Sequence, residues 1–520
     1  MSVENGIVSI GFRKVASYAR VFYPDIEVCY ITPTNFYSPI EAIVNFGNVN
    51  TDLPTKDIKR IAEYLANADM VCFSSMTPLA DLTKKIVRAI RVIKSNTFII
   101  WGGVHCIVYP EDAIKYADAI CVGEGEYSFK QFLLAYNNGT DYFKTKNFWF
   151  NKNGKIIKNG FLPLNKPEDM ESFPFPLYAD NELIYIRKVG FVPLGMSEYI
   201  SQLGIVYYTI LAIGCPFKCT YCANYKFAEN DKNYRKLRYP SVDYIIAEIK
   251  AVLKKHPYLS NVVFMDDGFI ALPLEFLQEF AEKWRKEVKL PFNLSGVIPG
   301  YVNRKKMEIL IFAGMSALRM GIQSGSDRIL RFYERPNRPG LVMKSVSIIS
   351  EFSDRITPTY DIILDNPIEN RQDIIDTLQL LYDMPRPFVL QIYGLRVIPN
   401  TKLAEELAKR NVTIQDISKG YLIVEPTLAN AMVYMIVVFR PPKWIFEILL
   451  KYAQPYNVEQ TKHYFLLFIF RGLWLFKRGF IGLLHMNFSE LPGKFGWICW
   501  KLGIIKFWRT KIQRKRFLRD

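Results

Sequence analysis

Strand-like apolar runs alternate with amphipathic helical stretches in two separate parts of this chain, and that alternation leaves few folds open. In residues 1–140 the runs 26–31, 70–74, 97–103 and 119–123 read as strands, with helices expected over 55–68, over 79–93 and from about Ser128. Strands separated by helices join into parallel sheets, since only a crossover can return the chain to the same edge. Such sheets bind ligands at the carboxyl ends of their strands, where Gly102, Gly103, Gly123 and Gly125 stand here. A second series fills 196–428. Its expected strands are 205–212, 261–265, 317–320, 359–364 and 389–393, with helices such as 242–254, 274–287, 303–312 and 371–381 between them. Six or so such units predict a partial (β/α)6 barrel of TIM type, with its site at the strand carboxyl ends.

The joints follow from where the pattern lapses. Residues 141–195 lose it, and Pro167, Pro174 and Pro176 mark that stretch as a linker. After 428 the alternation stops, and 429–520 is expected to be a helical region.

Composition bounds the class. Among 520 residues 50% are hydrophobic and 15% aromatic, which excludes a disordered or fibrous chain. Eight cysteines are too few for a disulfide-stapled secreted protein, and Met1-Ser2-Val3-Glu4-Asn5 has no secretory pattern, so a reducing cytoplasm is expected. The formal charge is +17, yet residues 471–520 hold twelve Lys/Arg against two acids and so carry +10 of it. Four of the eight tryptophans, Trp474, Trp497, Trp500 and Trp508, lie in the same fifty residues. Basic residues interleaved with Trp, Phe and Leu suit an anionic membrane surface. Peripheral contact through 443–519, on the inner face of the cell membrane, is expected, carried by amphipathic stretches at 443–451, 462–476 and 501–519. Nucleic acid is the weaker partner, because it seldom needs so many bulky aliphatics. The longest charge-free run, 199–217, contains Ser201, Gln202 and two glycines and is read as buried strands rather than a membrane span.

The most informative segment is Gly214-Cys215-Pro216-Phe217-Lys218-Cys219-Thr220-Tyr221-Cys222, which places three cysteines in eight positions after an apolar strand. Structural zinc wants four ligands, and no second Cys or His pair lies at finger or ribbon spacing. Three thiolates without a fourth suit a 4Fe–4S cluster with one iron open to an exchangeable ligand.

That motif resembles the signature of the radical S-adenosylmethionine superfamily. The resemblance implies that Cys215, Cys219 and Cys222 hold the cluster and are the catalytic and metal-ligating residues. It further implies that S-adenosylmethionine binds the open iron, with Tyr221 near its adenine. Asp266 and Asp267, closing a strand, match the family's polar contact to the methionyl amino group. The segment 320–326 resembles its Gly-Ile-Glu-Ser-Gly run, with Gln323 in place of Glu and followed by Ser324. The run from Asp361 through Asp365, Asn366 and Pro367 to Glu369 resembles the later adenine-side strand, and Arg235 and Arg238 are candidates for the methionyl carboxylate.

The first 140 residues resemble the Rossmann-like cobalamin-binding domain that precedes many of these enzymes. The resemblance rests on Ser74, Ser75 and Thr77, on Gly102, Gly103 and His105, on Pro110 and Glu111, and on Gly123, Glu124, Gly125 and Glu126. It implies cobalamin held without a histidine lower ligand, since no Asp-x-His-x-x-Gly run exists. Cys29, Cys72, Cys106 and Cys121 lie in apolar strand contexts and are read as packing residues. Relatives with this layout, the hopanoid and other lipid methylases and the anaerobic porphyrin cyclases, lead to one expected function. It is methyl transfer to an unactivated carbon of a small, apolar lipid or isoprenoid, with flavodoxin or ferredoxin as electron donor. Ring closure or C–C coupling on a porphyrin or lipid is the alternative, and RNA modification a further one.

Overall fold

A computed structural model describes residues 1–4, 6–33, 52–335, 338–412, 422, 424–458, 461–484 and 498–508. The N-terminal sheet has nine strands: β1 (Ser2–Val3), β2 (Cys29–Ile31), β3 (Met70–Ser75), β4 (Phe98–Gly102), β5 (Ala119–Cys121), β6 (Phe148–Lys152), β7 (Lys155–Lys158), β8 (Leu183–Ile186) and β9 (Gly190–Pro193). Their order is β7-β6-β5-β4-β3-β1-β2-β8-β9. The six from β5 to β8 are mutually parallel, as the alternation requires. Two antiparallel hairpins extend the edges.

Those hairpins correct the sequence reading. The stretch 141–195, expected to be a linker, supplies β6, β7, β8 and β9. Its prolines misled because they cluster between the hairpins, where the helix Pro167–Ser172 and the turn after it sit. The segment also ties the domains together, since Arg13 of the first helix donates to Pro176 O (2.6 Å) and to Tyr208 O (2.8 Å) in the second domain.

The second sheet runs in chain order through β10 (Val206–Thr209), β11 (Asn261–Phe264), β12 (Phe292–Val297), β13 (Met315–Gln323), β14 (Thr357–Leu364) and β15 (Val389–Gly394), all parallel. This is the expected partial (β/α)6 barrel. Residues 199–203, expected in a strand, instead end the helix Met196–Leu203. Strand β12 was not legible, because Asn293, Ser295 and Gly296 interrupt its apolar run. Leu318, Met320, Tyr360, Ile362, Leu390 and Ile392 are buried beneath the outer helices. Arg319, Asp361, Gln391 and Tyr393 alternate with them, half-buried, on the face around which the barrel curves.

An incomplete barrel leaves β10 and β15 as edges, and an uncovered edge invites strand pairing. The helices Leu428–Phe439 and Tyr464–Leu484 close the β15 side. Trp474 Nε1 donates to Leu390 O (3.0 Å), and Arg478 Nη1 to Gln391 Oε1 (3.0 Å). Arg386 and Lys477 satisfy the last carbonyls of the first of these helices, at Ile436, Val437 and Val438. The charge-rich run from Arg509 to Arg519, with Lys494 and Trp497, lies outside the described residues.

Candidate active site at the cysteine loop

The loop after β10 is shaped before any cofactor is considered. Gly214 has φ +113°, and a Cβ there would lie 2.6 Å from Lys236 O, so only glycine fits. Cys215 N donates to Tyr234 O (3.2 Å), Thr220 N to Tyr333 O (3.0 Å), and Cys222 N to Cys219 O (3.1 Å). The three thiols are thus presented from one rigid loop at the carboxyl end of the barrel's first strand. Cys219 is buried, and Cys215 and Cys222 are half-buried. Burial and the neighbouring Asp267 carboxylate push the Cys215 thiol up to about 12 and hold Cys222 well above the ordinary thiol range. Metal binding at such thiols releases their protons.

The donor set fits an iron–sulfur cluster. Among the described residues no three His, Cys, Asp or Glu side chains converge on a single ion. Three thiols on one loop suit a cluster, whose thiolates each bind a different iron.

Arg335 was not singled out in the sequence, yet it lies at the centre of this arrangement. Its Nη1 donates to Cys219 Sγ (3.6 Å) and to Tyr221 Oη (3.2 Å), and its Nη2 to Gly321 O (2.9 Å). Nε is buried and has no partner among the described residues. Tyr221 meets Tyr333 edge-on with centroids 4.8 Å apart. Nothing at sequence level points to an arginine 116 residues from Cys219. A second unread group lines the barrel interior, where Arg319 Nε donates to Asp361 Oδ1 (2.7 Å) and its Nη2 to the Tyr393 hydroxyl.

The remaining expected site residues divide. Asp267 accepts from Asn224 Nδ2 (2.8 Å) and faces the thiols. Asp266 turns away, accepting from the backbone N–H groups of Leu211 and Ala212 (3.2 and 2.5 Å), so it braces the strand that leads into the loop. Burial raises it to about 7. Gln323, at φ +74°, stands beside Gly321 and Arg335. Ser324 is buried against Thr377 Oγ1 (3.3 Å) and accepts from Ser326 N. Asp365 accepts from Asn430 Nδ2 (2.7 Å) and Glu425 N (2.9 Å), anchoring the C-terminal region. Arg235 donates to Pro216 O (3.1 Å), and Arg238 pairs with Glu124 (2.6 Å), so both proposed carboxylate contacts are otherwise engaged.

In the first domain, Ser75, Gly102 and Cys121 end adjacent parallel strands. A Cβ on Gly103 would lie 2.8 Å from Ser75 backbone atoms. The Ser74 and Thr77 hydroxyls make no hydrogen bond among the described residues, whereas Ser75 Oγ accepts from Trp101 Nε1 (2.9 Å). A glycine-lined strand end with two unengaged hydroxyls fits a large neutral ligand such as cobalamin. His105 is buried, tilted against Trp101 and held to Asp112 Oδ2 (3.3 Å), and burial lowers it to about 4. It is packed as a core side chain. Gly123 and Gly125 lie against Asn147 and Val15, and Glu124 is committed to Arg238 and to Asn165 N (2.6 Å), so protein contacts account for these three. Val108 O, at the end of the helix after Gly103, accepts from Asn400 Nδ2 (3.0 Å) beyond β15, which brings the two strand-end faces together.

A glycine-edged parallel sheet followed by a cysteine loop on a partial barrel is the domain order of radical SAM proteins with a cobalamin-binding domain in front. The comparisons agree. Residues 209–381 match the Radical SAM superfamily and 41–133 the B12 binding domain. The cofactors of these domains are a 4Fe–4S cluster, S-adenosylmethionine and cobalamin. The chain is 22% identical over 381 residues to an uncharacterized methyltransferase of Pyrococcus horikoshii, covering 72% of this chain and 77% of that one. It is 22% identical over 384 residues to the anaerobic magnesium-protoporphyrin IX monomethyl ester cyclase of Cereibacter sphaeroides, covering 71% of this chain but 58% of the cyclase. In fold it resembles the radical methyltransferase TsrM of Kitasatospora setae, with a TM-score of 0.59, 13% identity and 80% and 78% of the two chains covered. It also resembles the cobalamin-dependent radical enzyme OxsB, at 0.57, 16%, 87% and 68%.

Proposed function

We propose that this enzyme transfers a methyl group to an unactivated carbon of a lipid or isoprenoid at a membrane surface. When bound, the cluster and S-adenosylmethionine supply a hydrogen-abstracting radical and cobalamin carries the methyl group. The chain's own part is positional. Cys215, Cys219 and Cys222 hold the cluster, and Arg335 and Tyr221 fix its surroundings. Ser74, Thr77 and the glycine edge at 102–103 seat the corrin. The barrel interior around Arg319, Asp361 and Tyr393 receives the substrate.

The observation that carries the lipid reading is the outer face of the helix Tyr464–Leu484. Leu467, Arg471, Trp474 and Ile481 are buried on one stripe. Phe465, Ile469, Leu473, Phe476 and Phe480 form the opposite stripe, and Phe465 and Phe476 are 73% and 75% exposed. Trp444 and Ile448 of the helix Lys443–Lys451 add exposed apolar surface, and Lys443, Lys451 and Lys462 are exposed beside them. No helix among the described residues is long and apolar enough to cross a membrane. An apolar stripe beside exposed lysines suits a helix lying in the headgroup region of an anionic bilayer.

Incubating the reconstituted enzyme with total lipid extract and methyl-labelled S-adenosylmethionine tests this. Label should enter a chloroform-soluble product. An unlabelled product of altered mass would support the ring-closure chemistry named for the cyclase relative. Replacing Phe465 and Phe476 by Ser should lower binding to anionic vesicles by about tenfold or more without loss of helix content, since each removes apolar burial of about 1.5–3 kcal/mol.

A further inference from the structure

The inner face of the barrel divides into two unlike walls. Parallel register sets Arg319 beside Thr359 and Asp361 beside Gln391, with Tyr393 two residues further along β15. All of these side chains are half-buried on the concave face. At the other end of the arc, β11 and the residue after it bring Val263 and Met265 to the same face. Arg319 Nε donates to Asp361 and Nη2 to the Tyr393 hydroxyl, so Nη1 has no hydrogen bond among the described residues. Gln391 Oε1 accepts from Arg478 Nη1 (3.0 Å), and the Nε2 end of that amide and the Thr359 hydroxyl are likewise unengaged among the described residues. Arg478 comes from the helix Tyr464–Leu484, the one that carries the outer apolar stripe. Two guanidiniums thus meet one carboxylate, which Arg319 already occupies. A pure hydrocarbon placed against this wall would strip water from its free donors and return no hydrogen bond.

We propose that Arg319 and Gln391, held in place by Asp361, Tyr393 and Arg478, form a head-group subsite for an amphiphilic substrate. It takes the anionic oxygens of a phosphate ester or a carboxylate and leaves the hydrocarbon part to the wall at β11. The proposal deepens the lipid reading above and rests on it. Donors without partners call for an acceptor group, and a guanidinium in excess over carboxylate favours an anionic acceptor over a neutral one. Arg319 is oriented before any ligand arrives, because Asp361 and Tyr393 fix its Nε and Nη2 and leave Nη1 to the ligand. Such preorganisation lowers the entropy lost on binding. The subsite adjoins the cysteine loop, since Asp361 lies in register with Gly321, whose carbonyl accepts from Arg335.

The test measures equilibrium binding of three submicellar probes, octyl phosphate, octanoate and octanol, to the anaerobically reconstituted full chain. Wild type should bind one of the two anions about tenfold or more tightly than octanol. The tighter anion tells a phosphate head from a carboxylate head. Gln391→Leu leaves the Arg319–Asp361 pair intact, and Arg319→Met/Asp361→Asn removes both charges together, so neither strands a lone buried charge. Each should weaken binding of the anion by about tenfold or more, with octanol binding unchanged. Equal binding of anion and alcohol by wild type, or an unchanged anion preference in both variants, would overturn the proposal. Methyl label that enters no lipid, with the anion preference present in wild type and lost in both variants, would overturn the lipid reading and uphold the subsite.

Discussion

Arg335 is the residue on which the site's electrostatics turn. Its guanidinium touches the Cys219 thiol, the Tyr221 hydroxyl and the strand carbonyl of Gly321. A charge-assisted bond of this kind contributes about 1.5–3 kcal/mol. Arg335→Met should therefore keep its iron and sulfide while S-adenosylmethionine cleavage falls by roughly 10–100-fold, measured as 5′-deoxyadenosine formed. Glu369 gives a second test. It is 2% exposed, and burial, with Asp373 and Asp365 nearby, raises it to about 8. The folded protein keeps this proton where the unfolded chain, with an ordinary carboxylate near 4.5, has released it. Stability from this group is thus full below that value and is lost as pH rises towards 8, at about 1.4 kcal/mol per unit. Denaturant titrations at pH 5 and pH 8 should show a smaller difference in Glu369→Gln than in wild type. The three cysteines stand out in the sequence by their spacing alone, and the structure presents them from one loop. Arg335 does not, because only folding brings it to Cys219. Asp266 and Asp267 looked equivalent as neighbours, and the strand's end separates them into a brace and a group facing the thiols.

Elements were legible where the apolar period was strong and obscure where packing overrides it. Strand β4 stands out as the β-branched and aromatic run Phe98-Ile99-Ile100-Trp101, and β3 opens on the apolar run Met70-Val71-Cys72-Phe73. The two-residue strand β1 lies between β2 and β3 and carries no sequence signal of its own. The four strands within 141–195 are short and edge-placed, and flanking prolines hid them. The C-terminal hairpin of helices was expected as basic and amphipathic, but its covering of the β15 edge was not foreseeable from composition. Trp474 is the residue that makes this contact, buried to 6% with its indole N–H on Leu390 O. Trp474→Ala should destabilise the protein by about 3–5 kcal/mol and leave a strand carbonyl exposed. The expected reading is a lower denaturation midpoint with increased aggregation.

At the scale of the whole molecule the two domains are joined so that their strand-end faces meet. Glu124, expected from the family resemblance to contact a cofactor, instead grips Arg238 and Asn165 of the neighbouring segments. Glu124→Ala would leave Arg238, with its side chain 10% exposed, short of its carboxylate. The loss should be about 2–3 kcal/mol, below the ~3–5 of a fully buried pair. It should appear as separate thermal transitions for the two domains and as earlier proteolysis between them. The surplus charge also divides by location, with Lys218, Lys226, Lys232, Arg235 and Lys236 gathered around one groove beside the cysteines and Lys443, Lys451 and Lys462 exposed on and near the C-terminal helices. The central claim is that both cofactor sites act in one methyl transfer, and product stoichiometry tests it most directly. The anaerobically reconstituted enzyme, turning over lipid extract, should release S-adenosylhomocysteine and 5′-deoxyadenosine in equal amounts. 5′-Deoxyadenosine formed without S-adenosylhomocysteine would contradict it.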